Sequence, residues 1–149
     1  MRSKKQSASR RRPEPPVIFL DECVDTKSLA TALLAQGVTV ERHRDHFAQG
    51  VLDVDWIPIV STRGWVILTA DKRQRRTALE IAAIVEAEAR VFVVRAKGLS
   101  GEQMGALVAG QVKRIVNVAN GQPAPFVAYV SRSGVAVIDQ RRSMRRRVQ

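Results

Sequence analysis

The sequence predicts an α/β sandwich with a mostly parallel central sheet, closed at its carboxyl end by a β-hairpin. Short apolar runs at Val17–Leu20, Val38–Val40, Trp65–Leu68 and Val91–Val94 alternate with stretches of helical periodicity, the order that builds parallel sheets with covering helices. Two of the runs end on or just before an aspartate, Asp21 and Asp71. Right-handed crossovers between parallel strands would bring those ends to one edge of the sheet.

Taken in order, Met1 to Pro16 is basic and ends in Pro13-Glu14-Pro15-Pro16. Its prolines block a helix and hand over an extended chain. Val17–Leu20 is a buried strand, followed by a turn over residues 21–25. Asp25 or Thr26 caps a helix carrying Leu29, Ala30, Leu33 and Leu34, which Gly37 ends. After the strand at Val38–Val40, residues 43–52 read as a loop. Asp53 is the expected N-cap of a helix over 54–62, with Pro58 inside it. Gly64 stops that helix ahead of the Trp65–Leu68 strand. A helix over 77–89 and the strand Val91–Val94 follow. Ser100 caps one long amphipathic helix reaching Gly121. Phe126–Val130 and Val135–Ile138 flank a turn at 131–134 and read as the hairpin.

The 149 residues suit one domain, 17–140, between a basic arm (1–16) and a basic tail (141–149). The net charge of +11 has a definite location. Six cations fall in residues 1–12 and five in 141–149, and without these eleven the remainder carries 14 basic and 14 acidic residues. The segment from Pro13 to Gln140 is thus formally neutral, while the ends are suited to polyanions or to solubility alone. Cys23 is the single cysteine, so no disulfide forms within the chain and a cytoplasmic setting is expected. No apolar run approaches membrane-spanning length. Neither G-x-G-x-x-G nor a Walker loop is present, so a nucleotide cofactor has no support.

The chemistry resides in the carboxylates. Asp21 and Asp71 follow strands, and Asp53 and Asp55 open a helix. Any one of them alone reads as a helix cap or a solvated turn residue. Gathered at one edge, they repel each other unless a cation lies between them. Oxygen-only donors suit Mg²⁺ or Mn²⁺ over Zn²⁺, and such a site activates water for in-line displacement at phosphorus. The expected catalytic set is Asp21, Asp53, Asp55 and Asp71, with Asp21, Asp55 and Asp71 on the metal. Lys72, Arg73, Arg75 and Arg76 follow directly and would contact a phosphodiester substrate. His43 and His46 lack the further ligands of a zinc set and read as surface-loop residues or phosphate contacts. Cys23 reads as a small buried residue.

Phe19-Leu20-Asp21-Glu22, then Asp53-x-Asp55-Trp56-Ile57, then Gly64-Trp65-Val66-Ile67-Leu68-Thr69-x-Asp71-Lys72 resemble the compact PIN-like domains, among them toxin ribonucleases of VapC type. The resemblance covers Val17 to Val94 and extends more weakly beyond. It implies a three-layer α/β/α sandwich, Mg²⁺- or Mn²⁺-dependent cleavage of RNA, and for toxin members a cognate antitoxin; a homodimer is compatible with it. The family's first acidic position matches Asp21, its middle one Asp53 or Asp55, and its strand-end one Asp71. Many relatives carry another acid two places after the last of these, where this chain has Arg73.

Overall fold

The computed structural model describes residues 15–70 and 78–138. The basic arm up to Glu14, the tail after Ile138, and Asp71, Lys72, Arg73, Arg75 and Arg76 lie outside the described residues. In order, the chain forms β1 (Val17–Leu20), a 3-10 turn (Glu22–Val24), α1 (Lys27–Ala35), β2 (Thr39–Arg42), a second 3-10 turn (His43–Asp45) and α2 (Asp53–Thr62). Then come β3 (Val66–Ala70), α3 (Ala78–Glu86), β4 (Arg90–Val94), α4 (Gly101–Gly110), α5 (Val112–Gly121), β5 (Phe126–Ser131) and β6 (Gly134–Ile138).

The apolar runs at β1, β3 and β4 become strands covered on both faces, a geometry that unbroken runs rather than alternating ones satisfy, whereas β2 at the sheet edge is only partly buried. One sheet has the order β2-β1-β3-β4-β5-β6, parallel from β2 to β5. Only the hairpin pair β5–β6 is antiparallel. Alternate strand residues feed two cores. Ile18, Leu20, Leu68, Phe92 and Val94 pack with α1, α4 and α5 on one face. Phe19, Ile67, Val91 and Val93 pack with Trp56, Ile57 and Val60 of α2 and Ile84 of α3 on the other. This is the expected sandwich with its hairpin.

The chain moves outward from β1 to β2, returns past β1 to β3, and then proceeds the other way. The switch of direction therefore lies between β1 and β3, the place where open α/β sheets leave a crevice at the carboxyl ends of their strands. Crossover handedness departs from expectation in one place. The connections through α1 and through α4–α5 run in opposite directions over the same face, so they have opposite hands. The second is held there by packing of α4 on α1, where Gly105 passes so close that an added Cβ would lie 3.3 Å from the Ser28 carbonyl oxygen.

Two further expectations are corrected. The single helix from Ser100 to Gly121 is two, α4 and α5, broken at Gln111. Gly110 is a poor helix former. The buried Gln111 side chain donates to the Arg132 carbonyl (3.0 Å) and accepts from Arg114 (3.1 Å), which fastens the break to the hairpin turn. Second, Leu52, not Asp53, occupies the N-cap of α2 and makes no side-chain cap bond. Elsewhere the caps follow the sequence: Thr26 accepts from Leu29 N–H, Ser100 and Gln103 form a capping box, and Gly37 takes φ +83° after α1.

Candidate active site at the carboxyl edge of the sheet

Asp21 leaves β1 at the switch point. Its backbone N–H donates to the Leu68 carbonyl (3.0 Å), extending the β1–β3 ladder by one residue and fixing where the side chain starts. The carboxylate is then oriented from two sides. Oδ1 accepts from Glu22 N–H (2.6 Å), and Oδ2 accepts from the Thr69 hydroxyl (2.8 Å). Thr69 is buried, so its hydroxyl is a fixed donor. Cys23 Sγ stands 3.2 Å from Thr69 Oγ1 and 3.7 Å from Asp21 Oδ2. Two oxygens carrying roughly four lone-pair sites keep capacity for a cation after these bonds.

The helices bring more acid to this edge. α2 enters β3 through a short turn at Arg63–Trp65, so its N-terminus lies at the carboxyl edge, and α3, which follows β3, also begins there. Asp53 and Asp55 occupy the first turn of α2, where negative charge is favoured. Asp53 Oδ1 accepts from the Trp56 indole N–H (3.0 Å), which explains why it does not cap. Asp55 is exposed. Among the described residues no three His, Cys, Asp or Glu side chains gather closely enough to hold a metal ion. The donor chemistry at Asp21 nevertheless fits a hard cation: a preoriented carboxylate beside a hydroxyl, at an edge whose other acids are all oxygen donors.

The structure adds residues that the sequence reading did not single out. Thr69 is the one polar residue in β3, and a polar residue two places before Asp71 was the available signal. Glu80 is buried in the first turn of α3, and Thr77-x-x-Glu80 is a capping-box pattern that could have marked it. Cys23 is half-buried and in polar contact, not simply buried. His43 is buried among Phe19, Phe47 and Trp56, not on the loop surface. His46 pairs with Glu41 (2.6 Å).

Beside Asp21, the 43–52 segment is bound to the turn after β1. Glu22 accepts from Gly50 N–H (3.3 Å). Asp25, its side chain only 5% exposed, accepts from Arg42 Nε (2.5 Å) and from the backbone N–H (3.2 Å) and Nε (3.3 Å) of Arg44. Burial pushes the Asp25 carboxyl up, but these hydrogen bonds and the two positive charges outweigh it and hold the carboxyl below its ordinary value.

A mostly parallel sheet whose direction switches between β1 and β3, with Asp21 following β1 at that point, suits a PIN-like domain. Residues 16–96, just over half of the chain, match the family described as "PIN like domain", and the chain belongs to it. Among curated proteins it is similar to one from Mycobacterium tuberculosis named "Putative ribonuclease VapC45", with 28% identity over 122 residues covering 79% of this chain and 88% of that protein. No solved structure matches it significantly. No helix among the described residues is long and apolar enough to cross a membrane.

Proposed function

We propose that the chain is a divalent-metal-dependent endoribonuclease and the toxin of a toxin–antitoxin pair acting in the cytoplasm. The observation that carries this reading is the Asp21 carboxylate, held by Thr69 and Glu22 N–H at the switch point of a PIN-like domain. The relative's name supports RNA as substrate and, through its VapC designation, an antitoxin as partner.

In this reading Asp21, Asp55 and Asp71 hold Mg²⁺ or Mn²⁺, with Asp53 beside them. A bound ion would supply Lewis acidity and lower the pKa of a coordinated water. Thr69 holds Asp21 in one orientation, so the carboxylate need not reorganise as the ion and phosphate arrive. Lys72, Arg73, Arg75 and Arg76 contact the phosphodiester backbone. Arg73, in place of an acid, reduces the negative charge opposing the substrate.

The test is cleavage of RNA by the full chain with Mn²⁺, with chelator, and after Asp21→Asn. Cleavage that ends with chelator and falls steeply in the variant supports the reading, and wild-type cleavage by Asp21→Asn overturns it. The eleven cations at the two ends of a formally neutral core favour a second reading, a non-catalytic RNA- or ribosome-binding module that acts through its basic ends. Under it, deleting residues 1–12 and 141–149 abolishes RNA affinity and carboxylate substitutions leave it unchanged.

A further inference from the structure

Two guanidinium groups flank the acidic edge, one on each side, and both are held in place by the fold. Arg42 is the register partner of Leu20, the residue before Asp21. Arg44 stands two residues further on, its backbone N–H and Nε both fastened to Asp25. Its side chain is 63% exposed, and its terminal nitrogens have no partner among the described residues. On the other side, Val94 of β4 is the register partner of Ala70 of β3. The next residue, Arg95, is exposed, and its guanidinium lies over the Tyr129 ring, 3.9 Å from the centroid.

Along the carboxyl edge the strand order β2-β1-β3-β4 therefore reads cation, Asp21, the β3 end leading to Asp71, cation. Three interstrand steps of about 4.8 Å separate the outer two strands, roughly 14 Å in all. That span matches about four stacked nucleotides at roughly 3.4 Å each. A peptide acid would meet the Asp21 carboxylate between the two arginines, whereas a phosphodiester strand spanning the edge carries phosphates to both guanidiniums.

We propose that Arg44 and Arg95 bind phosphates upstream and downstream of the scissile one, about two nucleotides to each side, leading a single RNA strand across the sheet edge from the β2 end to the β4 end. This rests on the ribonuclease reading above and assigns its substrate path to residues outside the Lys72–Arg76 run. Guanidiniums already held by Asp25 and by Tyr129 lose less freedom on binding than solvated side chains would. Asp25 and Tyr129 act as positioning residues for them.

The test measures affinity of the full chain for a short fluorescein-labelled single-stranded RNA by anisotropy, with chelator present, across a salt series. Arg44→Gln and Arg95→Gln should each weaken binding about three- to tenfold and lower the slope of log K against log salt by about 0.7. Tyr129→Leu, which removes the ring beneath Arg95, should weaken binding, and Tyr129→Phe should retain it. Arg63→Gln removes one charge at the opposite sheet edge and should change affinity by less than about twofold. Wild-type affinity and slope in an Arg44→Gln/Arg95→Gln double variant that melts like the parent would overturn the proposal. So would an Arg63→Gln effect as large as the others, since bulk charge then explains the binding, and so would failure of the parent to bind RNA. Mn²⁺-dependent cleavage by the parent is read separately, so an inactive but RNA-binding chain overturns the nuclease reading and still tests the two arginines.

Discussion

The two faces of the sheet are built from different materials. The face under α1, α4 and α5 is aliphatic, packed from leucine, isoleucine, valine and alanine around the edge-to-face pair Phe92–Phe126. The face under α2 and α3 is smaller and aromatic, with Phe19 in ring contact with His43, His46, Phe47, Trp56 and Trp65. Asp21, two residues after Phe19, continues the alternation of β1 toward the aromatic face, and α2 and α3, two of the helices that begin at the acidic edge, belong to that face. The aliphatic side supplies area removed from water. The aromatic side supplies polar edges, an indole N–H and imidazoles, that reach the loop and carboxylates around the proposed centre. Stability and chemistry are thus divided by the sheet.

The largest expected effects test that division from both sides. Asp21→Asn should reduce RNA cleavage on the order of 10³-fold, about 4 kcal/mol. The unfolding midpoint should move by less than about 1 kcal/mol, since the amide oxygen still accepts a hydrogen bond. Phe92→Ala, on the aliphatic face and 1% exposed, should cost about 3–5 kcal/mol in urea unfolding. Its surviving folded fraction should keep wild-type kcat. If Phe92→Ala lowers kcat in fully folded protein, the faces are not separable.

A smaller effect is expected where the two roles meet. Thr69→Val keeps the shape of β3 and removes the hydroxyl on Asp21 Oδ2. Cleavage should fall about 10- to 100-fold, as for other groups that orient a metal-holding side chain, with a higher Mn²⁺ requirement. An unchanged Mn²⁺ requirement would show that Thr69 serves packing alone. Acid tests the Asp25 anchor. Its carboxyl is held below the ordinary aspartate value, so its stabilising contribution is complete above that value and is lost as pH falls through the lowered one. Wild type should therefore lose more stability between neutral pH and the acid range than Asp25→Asn does, measured by urea midpoints at each pH.

Much of the fold was legible because its signals were local. Four apolar runs, a glycine after α1 and the Ser100 capping box each specify their own segment, and the hairpin follows from two strand-like runs across a short turn. The strand order was not legible. Nothing in Val17–Leu20 says that it lies between β2 and β3, because that depends on which helix covers which face. The break at Gln111 escaped for the same reason: its cause is a hydrogen bond to Arg132, 21 residues away. At the candidate site, Asp21 was readable as a residue following a strand, whereas Thr69 acquires its role only when β3 is set beside β1. The Asp25–Arg42–Arg44 cluster likewise exists only once β2 is in register with β1.

The smallest expected effect bears on the choice between Asp53 and Asp55. Trp56→Phe removes the indole N–H that donates to Asp53 Oδ1 and should cost about 1 kcal/mol of stability, the net worth of one hydrogen bond. In the proposed assignment Asp55 faces the metal and Asp53 does not. Freeing Asp53 from this donor should therefore leave the Mn²⁺ midpoint for cleavage unchanged, while Asp55→Asn raises it. The opposite pattern, a shifted midpoint in Trp56→Phe and none in Asp55→Asn, would move the ligand role to Asp53. It would also make the indole a control on that carboxylate, as Thr69 is on Asp21, so that both acids of the centre would be set by donors on the aromatic side.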